Sequence, residues 1–176
     1  MALTPRLRKL ALTAHVTSSV GWLGAVVAFL ALSVAGLTSQ DPQTVRAAYL
    51  VMELTGWVVL VPLSLASLVT GLVCSLASIW GLFRHYWVLF KLLINVVATI
   101  VLLLYIQTLD HLGDVATAAT FPSSDLGGLR SPSPVLHAGA ALLLLFVATT
   151  LAVYKPRGMT RYGQRKQRRH RTVLIP

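Results

Sequence analysis

The 176-residue chain is 56% hydrophobic and 11% charged, with a mean hydropathy of +0.74. A soluble domain usually carries about 25% charged residues, so the polar groups here cannot cover a water-facing surface, and lipid is the simplest partner for the remainder. The formal net charge of +10 suggests nucleic acid at first sight, but the basic residues have no interleaved aromatics for base stacking, and no nucleic-acid partner is expected.

The first apolar run covers about residues 10–37 and follows Arg6, Arg8 and Lys9. Ala11, Ala14, Ser18, Gly21, Ala25 and Ala28 recur along it at helical spacing, a seam that admits another backbone. The second run, about 49–83, repeats the device with Ser64, Ser67, Gly71, Cys74 or Ser75, and Ser78, and Pro62 predicts a kink in its outer half. Cys74 is the single cysteine, so no disulfide forms within the chain. The third run, about 88–110, follows a short loop carrying Arg84 and His85 and has Lys91 just inside it. An outer loop rich in Gly, Ser and Pro, 111–134, leads to the fourth run, 135–154, and residues 155–176 form a basic tail.

Each run reaches the roughly 20 residues that cross about 30 Å of hydrocarbon as a helix. Unpaired backbone groups are costly in lipid, and none of the runs alternates with period two, so helices are expected rather than barrel strands. The fold class predicted is all-α, a bundle of four transmembrane helices within one domain, 1–154. Trp57, Tyr49 and Tyr105 are placed at the outer interface, and Trp80, Trp87 and Tyr154 at the inner one.

Charge sets the orientation. Asp41, Glu53, Asp110, Asp114 and Asp125 all fall in or beside the first and third loops, whereas basic residues gather before helix one, around the second loop and after helix four. Only Arg46 and Arg130 lie on the acidic side. The positive-inside rule makes the basic side cytoplasmic, giving a multi-pass cell-membrane protein with both termini inside. The tail is expected to meet anionic phospholipid, at about 1 kcal/mol per basic residue near the surface.

Ionisable groups inside a membrane are expensive and so mark the places where function concentrates. His15 lies about 7 Å below the cytoplasmic end of helix one, and Lys91 is at similar depth in helix three, with Arg84 and His85 above them. A neutral imidazole is an axial ligand for haem iron and a cationic group suits a propionate, so these four residues form a candidate haem site with His15 on iron. The plainer alternative has His15 bonded to Thr17 or Ser19 and Lys91 reaching for the headgroups. A second polar group, Glu53, His111, Asp114 and His137, lies at the outer face and offers imidazole and carboxylate to copper or another divalent metal. No phosphate-binding loop, dinucleotide fingerprint, H-E-x-x-H or nucleophile elbow is present.

The stretch His15-Val16-Thr17-Ser18-Ser19-Val20-Gly21-Trp22-Leu23-Gly24 resembles the first-helix pattern of the HemJ-type membrane protoporphyrinogen oxidases and the related CopD-like copper-resistance proteins. Trp87-Val88-Leu89-Phe90-Lys91 resembles the start of helix three in the HemJ type. That resemblance implies haem b, with His15 as its ligand and Lys91 required for function. Over most of its length the chain is also similar to uncharacterised bacterial four-helix integral membrane proteins, through His85-Tyr86-Trp87, His137-Ala138-Gly139 and Tyr154-Lys155-Pro156-Arg157-Gly158. The long third loop and the basic tail depart from the HemJ pattern. Three functions are therefore weighed: a haem-b protein with a redox role, a non-catalytic scaffold or accessory subunit forming a homo-oligomer or binding a membrane partner, and metal handling at the outer face.

Overall fold

A computed structural model describes residues 4–78, 81–118 and 129–165. Its helices are α1 (Pro5–Thr38), α2 (Pro42–Thr55), α3 (Val61–Leu76), α4 (Tyr86–Ala118) and α5 (Ser133–Tyr154), with a π-helical turn, Gly56–Leu60, joining α2 to α3. Among the described residues there are four helices long and apolar enough to cross a membrane, Pro42–Leu76 counting as one. The protein is an all-α, multi-pass four-helix bundle.

Each start has a local cause. Thr4 accepts from the Leu7 amide ahead of Pro5, and Asp41 accepts from the amides of Gln43 and Thr44 ahead of Pro42, in each case a capping side chain followed by proline in the first turn. Hydrogen bonds from the Thr44 hydroxyl and then from the two amides hold the Asp41 carboxyl below its ordinary pKa. The second span therefore begins at residue 42, not 49. Gln43, Thr44 and Arg46 disguise an amphipathic opening whose Val45, Ala48, Tyr49 and Met52 are buried.

Pro62 lacks an amide hydrogen, and its ring would press on the carbonyl four residues back. The chain widens just before it, with the Val61 amide donating to the Gly56 carbonyl in an i to i+5 turn. Gly56 lets α4 come close here: an added Cβ would lie 2.8 Å from Ile106 Cδ1, and that side-chain end would have to shift. The second span ends at Leu76 rather than 83. Helix α4 continues to Ala118, so His111 and Asp114 are helical and the outer connection begins later than 111.

Helix α1 packs on α2, α3 and α5, and α4 packs on the same three, so that α1 and α4 face each other across the centre. The core joins Trp22, Val26, Phe29, Tyr49, Met52, Leu109 and Leu145. Outward faces are apolar too, with Val20, Val58, Val69, Leu104, Leu143 and Phe146 exposed, while Ser18, Ser33, Ser64, Ser67, Asn95 and Thr99 are buried. A bundle that is greasy outside and carries its polar side chains inside is suited to lipid.

Tyr49 and Tyr105 are buried within the bundle; Tyr49 donates to the Leu129 carbonyl and Tyr105 to the Ser133 hydroxyl. Trp57 does lie at the surface, donating to Asp110 Oδ1 at 2.7 Å. Trp80 lies outside the described residues. At the acidic end, Arg130 Nη2 donates to the Ser39 carbonyl (3.0 Å) and to Gln40 Oε1 (2.9 Å), tying the approach to α5 onto the turn after α1.

The segment after α5, described as far as residue 165, folds back on the bundle. Lys155 adopts a left-handed conformation (φ 44°) that stops the helix, and Pro156 prevents its resumption. The chain then runs back along the α3–α4 loop: Tyr86 N donates to Gly158 O, Thr160 N to Arg84 O, and the Thr160 hydroxyl to Phe83 O. Thr160 also caps a helical turn at 161–165 by accepting from Gly163 N. The tail beyond 165 lies outside the described residues.

Candidate functional site

Near the basic end, His15 of α1 and Lys91 of α4 reach toward each other across the bundle, and Lys91 Nζ stands 3.0 Å from His15 Nε2. His15 is buried. Its Nδ1 is 3.1 Å from the Ser67 carbonyl and 3.2 Å from Thr70 Oγ1. A carbonyl only accepts, and the Thr70 proton is directed to the Ala66 carbonyl at 2.5 Å. The imidazole hydrogen therefore sits on Nδ1, which leaves the Nε2 lone pair to accept from Lys91.

The ring can lie this close to α3 because residue 71 is glycine. A Cβ there would be 3.0 Å from His15 Cε1 and 3.4 Å from Nδ1. Beyond the imidazole the polar contacts continue inward: Ser19 and Ser67 share a hydrogen bond of 2.9 Å, and Asn95 Nδ2 donates to Ser67 Oγ at 3.3 Å. Asn95 Oδ1 and Thr99 Oγ1, one helical turn apart, are buried with no protein partner.

His15, Lys91 and Asn95 line a cavity of about 510 Å3. Leu12, Val16, Leu68 and Leu92 make its walls apolar, and Arg8 and Lys155 add positive charge to the lining. Its volume is in the range that holds a drug-sized or cofactor-sized molecule. Arg84 and His85, grouped with His15 by sequence, are not among the lining residues. Their backbone is engaged by the returning segment, and the Arg84 stem lies over Gly81, whose φ of +60° makes the turn.

The outer group is not assembled. The Glu53 carboxylate lies directly on Gly113 of α4, His111 and Asp114 are exposed on α4, and His137 stacks on Tyr105 with ring centroids 4.0 Å apart. Tyr105 precedes His111 by six residues, or about 9 Å along the helix, so His137 sits at a different level. Among the described residues no group of three or more His, Cys, Asp or Glu side chains could hold a metal. Sequence reading missed Ser67, Thr70, Gly71 and Asn95 as parts of one site; the available signal was Asn95 four residues after Lys91, on the same helical face.

Fold and site together define a multi-pass helical membrane protein with an apolar-walled cavity near one end of its bundle, lined also by His15, Asn95 and the cations Arg8, Lys91 and Lys155. Compared with protein-family models, curated proteins and solved structures, the chain matches none of them.

Proposed function

We propose that this protein binds haem b in the cavity between α1, α3 and α4 and serves a redox role at the cytoplasmic side of the cell membrane. The observation that carries the reading is the hydrogen bond from His15 Nδ1 to the Ser67 carbonyl. Metal-ligating histidines commonly donate their second nitrogen to a carbonyl or carboxylate, which fixes the tautomer and raises the basicity of the other. Here that other nitrogen is Nε2, in a side chain that lines the cavity.

The residues present fit the group. His15 would supply an imidazole to the iron, Leu12, Val16, Leu68 and Leu92 would supply apolar walls, and Arg8, Lys91 and Lys155 would supply cations for the propionates. Bound haem b would provide one-electron chemistry. His15 Nε2, now 3.0 Å from Lys91 Nζ, is the nitrogen that would hold the iron, Lys91 would serve a propionate, and Gly71 leaves room for the ring against α3. Arg84, expected from sequence beside the propionates, gives that place to Arg8 and Lys155. Purified protein, expressed with haem supplied, has a Soret band that His15→Ala removes; a colourless wild type rejects the reading.

The basic end faces the cytoplasm in this reading, with both termini there, as the separation of charge requires. The returning segment carries Arg157, Arg161 and Arg165, all exposed, on the same end as Arg6, Arg8 and Lys9. Such a platform suits anionic phospholipid.

A second reading has its own observation: both ring nitrogens of His15 already have partners within the protein. The cluster then serves packing in a non-catalytic scaffold or accessory subunit, which forms a homo-oligomer or binds another membrane protein. Partner recovery that survives His15→Ala and Lys91→Ala, from a colourless wild type, supports it.

A further inference from the structure

A second cavity, of about 190 Å3, lies between α1, α4 and α5, and shares no lining residue with the first. Its walls include Trp22, Val26, Phe29 and Leu144, and it also meets Tyr105 and His137, the stacked pair. Almost everything else along it is apolar, so any directional recognition falls to those two residues.

Their hydrogen bonding dictates what they can recognise. His137 Nδ1 is 2.9 Å from the Ser133 carbonyl, an acceptor only, so in the neutral ring the proton lies on Nδ1 and Nε2 is left as an acceptor. The Tyr105 hydroxyl spends its proton on Ser133 Oγ at 3.2 Å and retains lone pairs. Both residues line the cavity and have acceptor capacity left over, so a ligand polar group that meets either must bring the donor. A volume below the roughly 300–1,000 Å3 of drug-sized pockets admits a single substituted ring, and the stacked pair, Trp22 and Phe29 offer aromatic surface to it. The cavity lies within the span, where a hydrocarbon tail would pass into lipid.

We infer that this cavity binds a membrane-soluble quinol, its ring hydroxyl donating to His137 Nε2, and prefers the reduced quinol to the corresponding quinone. A quinone carries carbonyls in place of the hydroxyls and would set acceptor against acceptor. The inference does not depend on haem. It would nonetheless suit a redox role, since Trp22 lies seven residues beyond His15 on α1, about 10 Å along the axis.

The test uses full-length protein in lipid nanodiscs under anaerobic, reducing conditions and a photoreactive short-tailed benzoquinol. Labelled residues are mapped by mass spectrometry, and the quinol, its dimethyl ether and an alkane of the same tail length compete. The matching quinone competes in a parallel oxidised sample with a photoreactive probe that cannot change redox state. Labelling is expected around residues 22–29, 101–109 and 137–144. The quinol should compete about tenfold better than the quinone or the ether, the size of one hydrogen bond's contribution. His137→Leu, at an exposed position, should erase that preference, and Tyr105→Phe should weaken it while keeping the stack. The preference should be the same in protein prepared without added haem, which separates this result from the fate of the haem reading. Labelling elsewhere or an unaltered preference in His137→Leu overturns the inference, and equal competition by quinol, ether and alkane overturns it in favour of an acyl-chain slot.

Discussion

Lys91 and His15 belong to helices that face each other across the bundle, yet their side chains meet at 3.0 Å. Each reaches the centre from its own helix, and the contact joins α1 and α4 where their backbones do not pack. Hydrogen bonds between membrane helices are worth about 0.6 kcal/mol on average and about 1.7 at most. A double-mutant cycle with His15→Ala and Lys91→Met, read by unfolding in mixed micelles, should give a coupling energy within that range. Strict additivity would mean that the pair exerts no mutual hold.

Gly71 separates stability from binding. In Gly71→Ala the new Cβ meets the imidazole edge at 3.0 Å and pushes the ring off the Ser67 carbonyl, while the helix gains up to about 1 kcal/mol in propensity. The thermal midpoint should hold or rise while haem affinity falls at least several-fold, by titration of the Soret band. Gly71→Leu, which fills the space the ring occupies, should abolish binding.

Thr160 fastens the returning segment through three contacts: its hydroxyl to Phe83 O, its amide to Arg84 O, and its acceptance from Gly163 N. Thr160→Val loses both the cap and the hydroxyl donor, and a lost cap alone costs about 0.5–2 kcal/mol. Trypsin should then cut after Arg157 and Arg161 several-fold faster in the folded protein. Thr160→Ser, which keeps the oxygen, should cut at the wild-type rate.

Among the described glycines the tightest approach is at the acidic end, where a Cβ on Gly113 would run into the Glu53 carboxylate. Gly113→Ala should lower stability by about 1–3 kcal/mol, the usual cost of overpacking. Truncating the intruding side chain relieves the clash, so Gly113→Ala with Glu53→Ala should be more stable than Gly113→Ala alone, measured by thermal unfolding.

Reporter fusions at residues 1 and 176 should score on the same side of the membrane, the cytoplasmic one. Opposite sides would contradict four spans with basic residues held on one face.

Much of the architecture was legible because its cause is local and cumulative. A stretch of about 20 apolar residues must be a helix in lipid wherever it packs, and the side on which arginines gather is a matter of counting. Helix ends were read less well. The expected start at 49 overlooked the cap at Asp41-Pro42, and the expected stop near 110 overlooked that a helix continues past the hydrocarbon when its next residues still pack, as Leu112, Gly113 and Ala116 do.

The candidate site divides the same way. That His15 and Lys91 are two ionisable residues at one depth follows from helix rise and residue number alone. Which of their neighbours join them does not: Arg84 and His85 were near in sequence and depth but are held by the returning segment, whereas Arg8, Asn95 and Lys155 line the cavity. Depth is a one-dimensional quantity carried by the chain. The rotation of each helix about its axis, which turns Gly71 to the imidazole and Tyr49 into the core, is set by side chains far apart in sequence packing together, and only the folded bundle decides it.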